Sequence, residues 1–257
     1  MKQTKIEWTE ASWNPSIGCN KISAGCKYCY AEVMAKRLKA IGMKDYKDGF
    51  TFKILPHRLE DTLKIKKPTK FFVNSMSDLF HEKMSRKFLD KIFTVIERTP
   101  QHIYQILTKR DELMLDYFSR NIVPQNVWLG VTVENSNEKS RIDNLRQINS
   151  TIRFISFEPL IDSVGIVDLT NIHWAIVGGE SGSKARPIKQ DWIEEIFKQC
   201  KQQGTAFFFK QWGTWGADEV KRNKKANGRL FKGKEWNEFP KVSINHKIIS
   251  NNIYQAL

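Results

Sequence analysis

Short apolar, β-rich runs alternate with helical patterns along most of the chain. The runs are Thr51–Leu55, Lys70–Asn74, His102–Leu107, Val127–Val133, Ile152–Phe157, His173–Val177 and Thr205–Phe209. Each is about five residues of nearly continuous Val, Ile, Phe and Leu, as expected of strands covered on both faces in a parallel sheet. Between them the periodicity changes to that of helices, over Tyr30–Ile41, Arg86–Glu97, Asp111–Phe118, Asn137–Ile148 and Asp191–Cys200. Arg86–Glu97 places Phe88, Leu89, Ile92, Val95 and Ile96 on one side. Asn135 with Glu138, and Asp191 with Glu194, resemble capping boxes. Cys200 falls on the stripe Trp192, Ile193, Ile196, Phe197, Cys200 and reads as a core thiol. Repeated strand and helix predict an α/β fold, and the spacing of roughly 20–25 residues between run ends fits βα units. A (β/α) barrel, complete or partial and of TIM type, is the first choice, and a doubly wound open sheet is the second. It spans residues 1–210, with Lys5–Trp13 as a first strand. From Gln211 the periodicity stops, so residues 211–257 are expected to form an irregular basic extension packed on the barrel, with Trp212, Trp215 and Trp236 against it.

Polar residues cluster where the strands end. "NSMSD", "TKR", "TVEN", "SFEP", "GGESG" and "KQW" each follow an apolar run. In a barrel these loops converge on the C-terminal mouth, where such folds keep their active sites. Glu134, Glu158 and Glu180 recur at similar positions just past three strands. One such acid would be explained by a helix dipole, whereas three together favour a site.

Charge adds a partner class without naming it. In 257 residues, 42 Lys and Arg face 28 Asp and Glu, for a net charge of +14. That favours a polyanion, although Lys outnumbers Arg 30 to 12, a skew that AT-rich coding also produces. Seven basic residues and no acid lie between Lys221 and Lys234, so Lys221, Arg222, Lys224 and Lys225 are candidate phosphate contacts, with a solvated basic loop as the alternative. No apolar run approaches the roughly 20 residues that span a bilayer, and the N-terminus lacks the pattern of a targeting segment, so a cytoplasmic protein is expected.

Three of the four cysteines, Cys19, Cys26 and Cys29, fall within eleven residues. Clustered thiols in a reducing compartment usually hold a metal. A structural zinc site wants a fourth Cys or His, usually from a second paired half-site. No second CxxC occurs, and His57, His81, His102, His173 and His246 are scattered singly. A [4Fe-4S] cluster held by three cysteines, with one iron open to a small molecule, fits the count better, and zinc stays the alternative.

At these residues the chain resembles the radical S-adenosylmethionine (SAM) superfamily, whose signature is CxxxCxxC with an aromatic residue before the last cysteine. Cys26-Lys27-Tyr28-Cys29 matches the second half, while six residues separate Cys19 from Cys26 where the signature has three. More narrowly, it is similar to a family of phage and prophage proteins of uncharacterised function, through "IEWTEASWNPSIGCNKISAGCKYCYAE", "FFVNSMSDLFHE", "QILTKR", "VWLGVTVEN", "RFISFEPL", "WAIVGGESG" and "GRLFKGKEWNEFP" in order. The resemblance implies that Cys19, Cys26 and Cys29 ligate the cluster and that Tyr28 packs near the adenine of SAM. It also implies that the polar strand ends hold the rest of that cofactor, the nearest positions being Ser75, Ser77 and Asp78, then Glu134, Ser156 and Glu158, then Gly178, Gly179 and Glu180. It further implies a reductase- or flavodoxin-type electron donor and a deoxyadenosyl radical acting on an unknown substrate, with a nucleotide or nucleic-acid base as one class. The competing function is a non-catalytic, zinc- or cluster-stabilised nucleic-acid-binding phage protein. A serine hydrolase centred on Ser181 lacks the closing glycine of GxSxG, and no GxGxxG follows a strand to bind a dinucleotide.

Overall fold

The computed structural model describes residue 4 and residues 6–241. Strands β1 (Ala11–Trp13) and β2 (Ser16–Ile17) precede helix α1 (Tyr30–Ala40). Then come β3 (Lys53–Ile54), β4 (Lys70–Val73), α2 (Arg86–Glu97), β5 (Ile103–Thr108), α3 (Asp111–Phe118), β6 (Val127–Thr132), α4 (Ser140–Gln147), β7 (Ile152–Phe157), β8 (Trp174–Gly178), α5 (Gln190–Gln203), β9 (Ala206–Gln211) and α6 (Lys224–Asn227). Seven strands form one curled sheet in the order β1-β4-β5-β6-β7-β8-β9, and every neighbouring pair is parallel. Each new strand adds on the same side as the last. A doubly wound sheet would need a reversal of order, so the second fold choice is excluded.

The sheet is a half-barrel rather than a closed one, since β1 and β9 lie at opposite ends. The C-terminal extension occupies the edge of β9 on which closure would depend. Phe209 N donates to Trp236 O at 2.9 Å and Glu238 N to Phe207 O at 3.2 Å, and Phe208 and Asn237 form an antiparallel bridge. An edge that would otherwise expose a row of unpaired amides is thereby covered.

Alternation along each strand produces two different faces. Outward, Phe71, Ile106, Leu129, Val131, Ile155, Val177 and Phe207 pack in one core with Leu89, Ile92 and Ile96 of α2, Leu145 of α4, and Ile193, Ile196 and Cys200 of α5. Inward, Phe72, Trp128, Phe154, Trp174 and Phe208 form a second core with Trp8, and Phe239 of the extension packs on it. The Trp174 and Phe239 ring centroids are 5.1 Å apart. Gly130 makes this filling possible, because a Cβ there would lie 2.5 Å from Phe154 Cζ. One step further along β6, β7 and β9 the inward residues become Thr132, Ser156 and Lys210, and a cleft opens above the aromatic floor.

Several sequence expectations change in three dimensions. Thr51–Leu55 does not join the main sheet; β3 pairs antiparallel with β2, and Pro56 ends the strand after one further residue. Of the expected strand Lys5–Trp13, β1 comprises Ala11–Trp13, because Trp8 turns into the inner core; Lys5 lies outside the described residues. Asn135 caps as expected, accepting from Asn137 N at 2.9 Å, but neither capping box closes with its glutamate. Glu138 reaches Arg141 at 2.5 Å and Glu194 reaches Lys232 at 3.0 Å, ion pairs that take the carboxylates away from the helix ends. The extension is irregular as expected apart from α6, and residues 242–257 lie outside the described residues. No described helix is long and apolar enough to cross a membrane.

Candidate functional site

The cysteine loop runs from the end of β2 to the start of α1, across the C-terminal end of the sheet. Gly18 bridges to Ser77, Cys19 N donates to Phe50 O at 3.1 Å, and Ala24–Cys26 forms a single 3-10 turn. Cys29 is the residue from which α1 starts. Cys19, Cys26 and Cys29 are half-buried, and all three line one cleft of about 410 Å³ above the aromatic floor.

Three acids past strand ends grip this loop, Asp78 and Glu180 through arginines and Glu134 directly. Asp78 accepts from Phe80 N, Thr108 Oγ1, Lys109 N and Arg110 Nη1 at 2.7–3.1 Å. Arg110 in turn donates to Cys19 Sγ at 3.5 Å and to Asn20 Oδ1 at 3.0 Å. Glu134, fully buried, takes Lys109 Nζ at 2.7 Å and Arg141 Nη1 at 2.8 Å, and Ser23 of the loop donates to its Oε1. Burial pushes the Glu134 carboxyl up, but Lys109 and Arg141 outweigh burial and hold it below its ordinary value. Gly25 lies against this carboxylate so closely that a Cβ would be 2.4 Å from Oε1. Glu180 is clasped by Arg186 at 2.6 Å and 2.9 Å. Arg186 Nη1 continues to Ala24 O at 3.0 Å, and its guanidinium lies 5.4 Å from the Tyr28 ring centre. The six residues between Cys19 and Cys26 are therefore held at Asn20, Ser23 and Ala24 through three separate acids.

Of the residues singled out in the sequence, Tyr28, Ser75, Ser77, Asp78, Ser156, Glu158, Gly179 and Glu180 line the cleft with the cysteines. Glu134 and Gly178 are not among its lining residues: Glu134 lies under the loop, and Gly178 leaves room for Glu158, since a Cβ there would lie 2.4 Å from Oε1. The acids differ in what they leave free. Asp78 accepts two donors on each oxygen and Glu180 three from Arg186 at 2.6–2.9 Å, whereas Glu158 is held by longer contacts, Ser156 at 3.3 Å and Lys210 at 3.1 Å and 3.4 Å. Lys109, Arg110, Arg186 and Lys210 organise the site, yet the sequence reading carries none of them into it. For Lys109, Arg110 and Lys210 the available signal was their position in the strand-end clusters "TKR" and "KQW"; Arg186 lies beyond any strand end and offered none.

Burial sets Cys19 and Cys29 apart from exposed cysteines. Burial, partly offset by Arg110, pushes Cys19 up to about 11, and burial also raises Cys29. Cys200, packed in the outer core, is pushed up to about 12 by burial and is inert. Loading a metal on the loop therefore releases protons. No group of three or more His, Cys, Asp or Glu side chains among the described residues is drawn together as a metal site. The donor set is three soft thiols bordering one cavity with no histidine among its lining residues, a set of the kind that thiolate-bound zinc and iron-sulfur clusters both use.

The extension uses its aromatic residues internally. The indole N–H groups of Trp212, Trp215 and Trp236 donate to Leu230 O, Ala185 O and Phe231 O at 2.7–2.9 Å. Much of the basic stretch is also engaged. Arg222 is held by Asp218 at 2.8 Å and 2.5 Å, and Lys221 donates to Ser183 O at 2.6 Å. Lys224 and Lys225 pair with no carboxylate among the described residues, and Lys224 lines the cleft.

Comparison with curated proteins and with solved structures finds no match. A family model described as "Protein of unknown function (DUF5131)" matches residues 3–240. That span takes in the whole half-barrel, the cysteine loop and the described extension, and the chain belongs to this family.

Proposed function

We propose that the chain is a radical SAM enzyme akin to the phage proteins its sequence resembles, with a partial barrel of that superfamily's kind and a [4Fe-4S] cluster on Cys19, Cys26 and Cys29. The single observation that carries this assignment is that all three cysteines open on one cleft at the C-terminal end of a parallel half-barrel, with no histidine beside them. The chemistry supplied with the cluster bound is one-electron reductive cleavage of SAM to methionine and a 5′-deoxyadenosyl radical, which takes hydrogen from a substrate. The chain's own residues shape the space for it. Trp8, Phe72 and Leu107 close the floor against water. Tyr28 offers a ring face, Ser77 and Ser156 offer hydroxyls, and Gly179 lets backbone approach a ligand. Glu158 is the cleft acid with the longest protein contacts and so the most easily shared with a ligand, and Lys210 beside it balances the charge.

Anaerobic reconstitution followed by SAM and dithionite is expected to release 5′-deoxyadenosine. Glu158→Gln is expected to weaken cleavage about ten- to a hundredfold at unchanged iron content, the worth of one charge-assisted hydrogen bond. A fully loaded cluster whose spectrum ignores SAM and which yields no deoxyadenosine would overturn the assignment. Stoichiometric zinc with no iron would favour a zinc-stabilised nucleic-acid-binding protein.

The proposed substrate class is a nucleotide or nucleic acid, supported by the placement of Lys224 at the cleft and the free cation of Lys225. If the extension contacts a phosphate backbone, affinity for single-stranded oligonucleotide falls steeply with salt. Neutralising Lys224 and Lys225 together then lowers the slope of log K against log salt by about 1.4. Replacing Arg222, already paired with Asp218, is expected to change it little; an equal effect from Arg222→Gln would count against the assignment.

A further inference from the structure

We propose that Arg110 is a positioning residue that sets the reduction potential of the cluster, by hydrogen-bonding the ligand sulfur of Cys19; the proposal rests on the radical SAM assignment above. Arg110 is 6% exposed and stands at the start of α3. Every edge of its guanidinium is fixed. Nη1 donates to Cys19 Sγ at 3.5 Å and to Asp78 Oδ2 at 3.1 Å, Nε to Glu82 Oε1 at 2.8 Å, and Nη2 to Asn20 Oδ1 at 3.0 Å and Asn20 O at 3.4 Å. Its backbone is fixed as well, since Arg110 N donates to Thr108 Oγ1 at 2.9 Å. An arginine guanidinium keeps its charge throughout the working pH range.

A cation with an N–H aimed at a ligand sulfur stabilises the electron-rich, reduced cluster more than the oxidised one and so raises its potential. The strength of that effect depends on how much of the charge is already neutralised. Asp78 is buried and saturated, and its influence is fixed by the fold. Glu82 is half exposed on its side chain, pairs with Arg110 Nε at 2.8 Å and has His81 Nδ1 3.4 Å from its other oxygen, which makes it the acid that trims the charge Cys19 feels. A lysine at this position would supply charge without the planar fork that meets Cys19, Asp78, Glu82 and Asn20 together.

The test is an equilibrium redox titration of the reconstituted full chain without SAM, followed by visible absorption and by the paramagnetic spectrum of the reduced cluster, with iron counted in each variant. Arg110→Gln is expected to move the midpoint to a more negative potential at wild-type iron content, and Arg110→Lys to restore part of the shift. Glu82→Gln, a change at a half-exposed side chain, is expected to move it the opposite way. A loaded Arg110→Gln protein with the wild-type midpoint would overturn the proposal. If Arg110→Gln cannot hold iron, Glu82→Gln decides: a positive shift supports the role, and an unchanged midpoint overturns it. A wild-type chain that takes zinc and no iron would overturn both this proposal and the assignment beneath it, whereas a SAM-responsive cluster insensitive to both variants would overturn this proposal alone.

Discussion

Glu134→Ala is expected to destabilise the protein by about 3–5 kcal/mol, the usual cost of removing one partner from a buried ion pair. Glu134 is fully buried between Lys109 and Arg141, with Ser23 on the same oxygen as Lys109. Without it, Lys109 sits under the cysteine loop with no other ion pair among the described residues, Arg141 keeps only Glu138 and Asp111, and Ser23 loses its acceptor. For a chain of this length the loss corresponds to about 10 °C in melting temperature. Glu134→Gln keeps the shape and one acceptor and should cost less. Gly25→Ala tests the same contact from the loop side, because its methyl would meet the Glu134 carboxylate, and it is expected to free the loop without touching a charge. The carboxylate also predicts a pH signature. Its folded value lies below the ordinary 4.5, so its contribution is complete above that pH and is lost as acid protonates the folded carboxylate. Thermal melts of Glu134→Ala should therefore differ most from wild type at neutral pH and converge with it in acid. A Glu134→Ala protein melting within about 2 °C of wild type at pH 7 would show that the carboxylate does not anchor the loop.

On the proposed assignment each of Cys19→Ala, Cys26→Ala and Cys29→Ala is expected to abolish iron loading, from about four irons per chain to about none, since a cluster held by three thiolates would have no spare ligand. The fourth cysteine supplies the contrast. Cys200 is fully buried in the outer core among α5 and β9 side chains and does not line the cleft. Cys200→Ala should keep its iron and lose about 1 kcal/mol of packing. The measurement is iron and labile sulfide per chain after anaerobic reconstitution, with melting curves to separate loss of ligand from loss of fold. Retained iron in any one of the three loop variants would mean that a different side chain completes the site. Loss of iron in Cys200→Ala at normal stability would mean the ligand set has been misassigned.

The α/β alternation and most strand positions were legible in the sequence, because burial on both faces imposes continuous apolar runs that need no tertiary knowledge to see. The position of the cysteine loop ahead of α1 was legible too, as was the core role of Cys200, where a helical stripe predicts burial directly. Clustering of polar residues at strand ends correctly pointed to a shared surface, since parallel strands send all their C-terminal ends to one side of the sheet. Openness was not legible. Whether β9 meets β1 or meets Trp236–Glu238 depends on where an aperiodic segment docks, and such a segment carries no repeating pattern to read.

The residues' roles at that surface were decided by tertiary structure alone. Glu134, Glu158 and Glu180 look equivalent along the chain, each an acid just past a strand. Folding gives each a different cation from elsewhere in the sequence: Lys109 and Arg141 bury Glu134 beneath the loop, Arg186 clasps Glu180, and Lys210 leaves Glu158 facing the cleft. Local pattern fixes which residues reach the end of the sheet, because strand periodicity is a short-range property. Whether a carboxylate there is spent on holding the loop or left for a ligand is set by partners between 6 and 52 residues away, and only the packed chain brings them together.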